Sequence, residues 1–201
     1  AGFPSSTESD RFKASYVSAY DYGGTDHSLT FAADYELEGF NNVGTFNFRN
    51  EVENVGFVGQ YSYRGEAFDF AASLRHDVND LFQDATTFRV GAGYNVTETP
   101  RLRAAVGTGV PPPTFIATPG NRTTDSEQQG VELAISAVLG GGFSFNGAYT
   151  FLDAEENGVE EVRRPESIAS AVLNWSDPSD KAAVNLAVRY NGEALDSDFT
   201  T

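Results

Sequence analysis

Four arginines are the residues of this chain best suited to binding chemistry: Arg75, Arg89, Arg101 and Arg103. Each alternates with apolar neighbours, so in an extended chain its side chain lies on the face opposite to an apolar row. A guanidinium group binds carboxylates and phosphates through paired hydrogen bonds. The four arginines are therefore candidates to hold an anionic ligand or an anionic protein segment. The simpler interpretation is that they neutralise carboxylates on their own face, such as Asp69.

Two other groups of residues could support different chemistry. His76 and Asp77 would supply a base and a carboxylate to orient it, but adjacent side chains of a strand point to opposite faces. The run Asp153-Ala154-Glu155-Glu156-Asn157 offers the oxygen ligands that Ca²⁺ prefers, although it lacks the regular spacing of dedicated calcium loops. We interpret it as a solvated loop tip. No catalytic residue, metal site or cofactor is predicted.

The composition excludes several classes of protein. Lys and Arg number 13 against 29 Asp and Glu, a net charge of −16 that repels phosphate, so no nucleic-acid partner is expected. There are no cysteines, which excludes disulfides and thiolate metal sites. No window approaches the roughly 18 apolar residues in succession that a membrane helix needs. The 201 residues suffice for one large domain or two small ones.

Ten stretches alternate apolar and polar residues with period two, which predicts β-strands with one apolar face. In the third stretch, at about residues 44–63, the apolar positions change parity near residues 53–54, and we interpret this change as a β-bulge. Aromatic residues recur near the strand ends, among them Tyr20, Tyr63 and Trp175. Both a water-soluble sandwich and a membrane barrel would show this alternation.

The connections between the stretches favour the barrel. Short turns, such as those at residues 23–24 and 140–142, alternate with longer segments. Outer-membrane barrels have short periplasmic turns and longer extracellular loops. The longer segments are predicted at residues 38–43, 77–85, 110–127 and 153–166.

The segment Arg101–Phe115, RLRAAVGTGVPPPTF, resembles a stretch shared by TonB-dependent outer-membrane receptors. Segments similar to those of the same family follow in order at Gln129–Glu132, Tyr149–Ala154, Arg163–Pro165 and Val188–Gly192, and this order most resembles the vitamin B12 and siderophore receptors. The resemblance implies an all-β fold, an antiparallel transmembrane β-barrel. The chain would supply about ten strands of a larger, 22-stranded barrel. Residues 1–201 would form a partial barrel domain, with the plug domain of the family absent.

The function that the resemblance implies is active transport by a receptor of the bacterial outer membrane. Its ligand would be a metal chelate (siderophore) or a cobalamin-like molecule, bound by long loops such as residues 110–127 and 153–166. Energy would come from the TonB complex through the absent plug and coupling box, and outer-membrane lipid would surround the apolar rows. The alternatives are a small closed barrel acting as a passive pore or structural barrel, and a hydrolase that uses His76 and Asp77.

Overall fold

A computed structural model describes residues 6–24, 26–43, 47–81, 83–110, 126–156, 158–179 and 181–196. They form one antiparallel β-sheet of eleven strands. Ten long strands lie side by side in chain order, and the two-residue strand β9 pairs with β8. The strands are β1 Ser6–Tyr22, β2 His27–Val43, β3 Phe48–Arg64, β4 Phe68–Asn79, β5 Ala85–Asn95, β6 Arg101–Gly109, β7 Ser126–Gly140, β8 Phe143–Glu156, β9 Val159–Glu160, β10 Ser167–Ser176 and β11 Ala183–Asn191.

The all-β prediction is confirmed, and the apolar rows lie on the open surface of the sheet. Phe88, Phe143 and Leu186 are 40%, 41% and 60% exposed, and no second layer covers them in the part of the chain that the structure describes. The sandwich alternative is therefore wrong for these residues. Within the same ranges, no helix is long and apolar enough to cross a membrane.

The strands are staggered in a constant direction. One row of register partners leaves β1 at Tyr22, its last residue, and reaches β11 at Tyr190, next to its last residue. Since β1 and β11 run in opposite directions, this row starts at the short-turn end of the sheet and finishes near the opposite end. Strands tilted and staggered in this way are what the closure of a β-barrel requires. The row runs through Tyr22, His27, Tyr63, Phe70, Ala92, Ala104, Leu133, Tyr149, Ala169 and Tyr190.

Of the four predicted long segments, 38–43 is strand and 77–85 is partly strand. β2 continues to Val43 and β4 to Asn79, so only residues 44–47 and 80–84 connect them to the next strands. The predicted segment at 38–43 is therefore wrong, the one at 77–85 is a shorter connection than predicted, and short and long connections do not alternate strictly. On β2 the apolar row stops because Gly39 and Asn41 take the next positions on its face, so the ladder persists while the alternation ends.

The other two long segments are those predicted at residues 110–127 and 153–166. Residues 111–125, most of the segment predicted at 110–127, lie outside the described residues, and Ser126 and Glu127 belong to β7. The segment predicted at 153–166 is partly strand, since β8 runs to Glu156 and pairs with β9. The acidic run is therefore strand up to Glu156 rather than a loop tip.

The predicted bulge at residues 53–54 is wrong. The register between β2 and β3 is continuous from Asn42 opposite Phe48 to His27 opposite Tyr63. The apolar row ends there because the next positions on its face hold Glu53 and, further along, Glu51. The register shifts instead in β7, between residues 138 and 140, beside a turn of three glycines with φ of +80°, +61° and +84°. Such left-handed φ values favour glycine, which explains the triplet at residues 140–142.

Two further glycines allow close approach between adjacent strands, Gly107 of β6 to β5 and Gly130 of β7 to β8. Gly107 and Gly130 are register partners. A Cβ atom on Gly107 would lie 2.8 Å from the carbonyl oxygen of Phe88, and one on Gly130 would lie 2.9 Å from that of Phe151. β6 then ends at Gly109, at the end of the GTG motif.

Candidate functional site: the charged polar face

The polar face is the side of the sheet opposite to the apolar rows, and it is the more crowded side. Val52 and Ser62 of β3 belong to it and are 6% and 9% exposed, whereas Phe57 on the apolar face of the same strand is 52% exposed. When a single sheet is curved, the side chains on its concave face are less exposed than those on its convex face. The charged residues of the polar face therefore lie on the inner wall of a curved surface.

Arg75 is the centre of the first charged cluster on this wall. Asp34 of β2, Gly56 of β3 and Asp77 of β4 are successive register partners, and Arg75 lies two residues before Asp77. Its two terminal nitrogens donate to the two carboxylate oxygens of Asp34 at 2.9 and 3.0 Å. Its Nε and Nη2 donate to Asp77 at 2.7 and 2.6 Å. Both edges of the guanidinium are thus occupied by carboxylates.

Gly56 makes this crossing possible. Arg75 starts on β4 and must pass over β3 to reach Asp34. A Cβ atom on Gly56 would lie 2.3 Å from Nη2 of Arg75 and 2.8 Å from Oδ2 of Asp34. Asn54, on the same face of β3, donates to Asp77 at 3.1 Å. The ion pair therefore ties together strands that share no backbone hydrogen bonds.

Arg101 repeats this arrangement two strands further on. It lies on β6 and binds Asp69 of β4, and the intervening residue on β5 is Gly93, the register partner of Asp69. A Cβ atom on Gly93 would lie 2.5 Å from Nη2 of Arg101 and 2.6 Å from Oδ1 of Asp69. Nη1 of Arg101 donates to Asn95 at 2.8 Å. The simpler sequence interpretation, neutralisation of Asp69 by an arginine of its own face, holds for this residue.

Arg89 forms a third and more exposed pair across β6. Its Nη2 lies 2.7 Å from Oε2 of Glu132 on β7. The two side chains are 66% and 54% exposed, whereas Arg75 and Asp34 are 35% and 13% exposed. Water therefore screens the Arg89 pair much more strongly.

Arg103 differs from the other three predicted arginines. It is exposed, and among the described residues it forms no hydrogen bond or ion pair. Its register partners are small, Gly93 on β5 and Ala134 on β7. The structure thus places all four arginines on the polar face but engages three of them with carboxylates. The guanidinium of Arg103 is left available.

Sequence reasoning missed two similar arginines. Arg64 and Arg189 lie on the same register row as Arg103, which passes from Arg64 through Asp69, Gly93, Arg103, Ala134, Ala148 and Ser170 to Arg189. Neither has a carboxylate partner within the described ranges, and Arg189 donates to Asn191 at 3.2 Å. β3 includes Arg64, and its even spacing from Ser62 is the sequence signal that both lie on the polar face.

The proposed acid–base pair does not form. Nδ1 of His76 lies 2.8 Å from Oγ1 of Thr86, while Asp77 lies on the polar face, bound by Arg75. In the acidic run, Asp153 accepts a hydrogen bond from Gln129 at 2.9 Å. The part of the chain that the structure describes contains no group of three or more His, Asp or Glu side chains placed to hold a metal ion.

Aromatic residues cover the apolar face at its short-turn end. The ring of His27 stacks on Tyr22 with centroids 5.1 Å apart and lies 5.0 Å from that of Tyr63. Its Nδ1 lies 2.8 Å from the hydroxyl oxygen of Tyr61. On the same face, toward the β11 edge of the sheet, the ring centroids of Trp175 and Phe143 are 6.3 Å apart. We call these residues, with Tyr20, Phe68, Phe70 and Tyr94, the aromatic belt.

Comparison with solved structures finds several chains of similar fold. The crystal structure of the siderophore receptor PirA from Pseudomonas aeruginosa is similar over 92% of this chain, with a TM-score of 0.74 and 13% sequence identity. The likeness covers 41% of the receptor, so the chain spans less than half the length of that protein. At this identity the likeness shows the fold alone, which is that of part of a β-barrel. No family model matches the chain, and no curated protein matches it.

Proposed function

We propose that this chain forms part of the barrel wall of an outer-membrane transport receptor. The receptor would take up a metal chelate of the siderophore type, or a cobalamin-like ligand, with energy supplied through TonB. The observation that carries the proposal is a sheet with an exposed apolar face, a charged polar face and the fold of part of a siderophore receptor. Each face supplies one part of the argument.

The apolar rows are long enough for strands that cross a bilayer. A transmembrane β-strand needs about 9 to 11 residues. On β2 the apolar row extends from Leu29 to Leu37, and on β3 from Val55 to Tyr63, nine residues in each case. Beyond it on β3 the same face carries Glu53 and Glu51, as expected where a strand leaves the hydrocarbon. The aromatic belt lies at the opposite end, where aromatic side chains favour the interface between membrane and water.

The polar face suits the aqueous lumen of such a barrel. Carboxylates form ion pairs with Arg75, Arg89 and Arg101, which makes the polar face rigid and locally neutral. Arg64, Arg103 and Arg189 lie on one register row and have no carboxylate partner among the described residues, although Arg189 donates to Asn191. They would attract an anionic chelate, or the carboxylates of a protein segment inside the barrel.

Gene deletion in the bacterium that encodes the chain tests the proposal. The deletion strain should lose accumulation of radioactive iron from ferric chelates, or of labelled cobalamin, and a plasmid copy should restore it. An uncoupler should abolish the uptake in the intact strain, because the proposed transport needs the proton motive force. Uptake that persists with the uncoupler and admits unrelated small solutes would instead indicate a passive pore.

The hydrolase alternative has a separate test. His76→Ala in the full-length protein should leave both transport and any ester or peptide cleavage in the preparation unchanged, since His76 and Asp77 form no pair. A cleavage activity that disappears with His76 would support the alternative and contradict our proposal. Cell fractionation completes the test, and the protein should be found in the outer membrane.

A further inference from the structure

The apolar face contains a groove of about 670 Å³. Its floor is made of small residues: Ala92 and Ala104, which are register partners, and Gly147 of β8. Larger apolar side chains border it, and five of them are 40% to 49% exposed: Phe68, Tyr94, Leu102, Leu133 and Tyr149. The groove is within the size range of small-molecule sites, about 300 to 1,000 Å³. It lies on the face opposite to the charged clusters.

The groove lies beside a gap in the aromatic belt. The belt covers the short-turn ends of β1 to β5 as far as Tyr94 and resumes with Phe143 and Trp175. Between them, the first apolar-face residue of β6 is Leu102, and its register partner on β7 is Ile135, so both are aliphatic. Tyr94 and Leu102 line the groove and are register partners, and the turn of residues 96–100 joins their strands. The apolar groove thus adjoins a polar turn.

We propose that this groove binds one acyl chain of a phospholipid, with the polar head group at the turn of residues 96–100. The inference rests on the proposed membrane location and adds a site that transport does not require. An apolar depression that extends across β4 to β8 and adjoins a polar turn matches the polarity of a lipid. A second copy of the chain would need a broad complementary surface of about 800 Å² on each partner, and a floor of Ala and Gly offers no protruding side chains for one. Because the short-turn end is the periplasmic end of such a barrel, the lipid belongs to the inner leaflet.

Lipid retention in matched variants tests the site. The full-length protein is purified from outer membranes in a mild detergent, and bound phospholipid is quantified by mass spectrometry. Ala104→Phe places a ring on the floor of the groove and should lower the retained phospholipid about tenfold, the factor that loss of contact with about two methylene groups represents. Ala33→Phe adds the same ring to the apolar face of β2, outside the groove, and should retain the wild-type amount. Ala92→Leu is a smaller obstruction for use if Ala104→Phe does not fold.

The outcomes separate this site from the transport proposal. Equal phospholipid in the wild type and all folded variants would overturn the groove as a lipid site, and so would an obstruction that changes oligomeric state instead of lipid content. Either result can occur in a protein that still transports its chelate. Conversely, lipid lost only from the groove variants would support the site even if no chelate uptake were found.

Discussion

Arg75 and Asp34 form a bidentate ion pair across a strand that separates them, with N–O distances of 2.9 and 3.0 Å. Arg101 of β6 and Asp69 of β4 likewise form an ion pair across the strand between them, β5. These ties matter because the described sheet has almost no conventional core, with Val52 and Ala154 as its buried hydrophobic residues. The described sheet is therefore held by its backbone ladder and by such ion pairs between strands that are not adjacent.

The strength of the first tie can be measured by a double-mutant cycle. Arg75→Gln and Asp34→Asn, alone and together, should give a coupling free energy of about 1.5 kcal/mol, the lower end of the range for hydrogen bonds to charged groups. We choose the lower end because Arg75 still contacts water. The measurement is unfolding by urea of the full-length protein in lipid vesicles.

The Arg89–Glu132 pair is the matched control for this cycle. Both of its side chains are more than half exposed, so its coupling should be at most about 0.5 kcal/mol, as for exposed pairs in general. Raising the salt concentration should weaken it further. Equal coupling in the two cycles would show that the bidentate geometry over Gly56 adds nothing to stability.

Gly56 gives a second test of the crossing. In Gly56→Ala the new Cβ atom would lie 2.3 Å from Nη2 of Arg75, so the guanidinium must move away from Asp34. We expect a loss of about 1 kcal/mol, the order of the lost charged hydrogen bonds after screening by water. Gly59→Ala on the same strand is the control, because its Cβ would meet nothing within 4 Å. The control should be neutral or stabilising, and a comparable loss in both variants would refute the steric explanation.

The sequence predicted ten long strands and their two faces because the side-chain period of a strand is two. It failed where the strands leave the apolar band. On β2 the apolar row stops at Gly39 and Asn41, and on β4 it is interrupted by His76, so the strand structure of residues 38–43 and 77–79 depends on pairing with neighbours that no local pattern shows. The same limit produced the false bulge at residues 53–54, where charged residues replace the apolar row without any change of register.

The arrangement of the charged site was only partly predictable. Period two indicated that Arg75, Arg89, Arg101 and Arg103 share a face. It could not pair Arg75 with Asp34, because these residues are 41 positions apart and meet only through the register of two strand pairs. Gly56 and Gly93 gave a usable signal, since a glycine within a strand often marks a close approach by another group.

Chemical labelling should distinguish the free arginines from the bound ones. A dicarbonyl reagent reacts with a guanidinium group, and one held by carboxylates on both edges is protected. We expect Arg103 to react about tenfold faster than Arg75 in the folded protein, the factor that about 1.4 kcal/mol of pairing represents. Peptide mass spectrometry after brief labelling measures both rates at once, and Arg64 should also react fast. Similar rates for all of them in the folded protein, with equal rates after unfolding as the reference, would contradict the assignment of Arg103 as the available group.

Trp175 is the single tryptophan of the chain and reports directly on the membrane. It belongs to the aromatic belt, so in lipid vesicles its fluorescence should be quenched most by lipids brominated close to the head group. Leu74 lies nearer the middle of the apolar band, on β4, and is 56% exposed. In the double variant Trp175→Phe with Leu74→Trp, the strongest quenching should move to lipids brominated deep in the acyl chain. If neither tryptophan is quenched by any brominated lipid, the apolar face does not contact hydrocarbon, and the proposed place of this chain in an outer-membrane barrel is wrong.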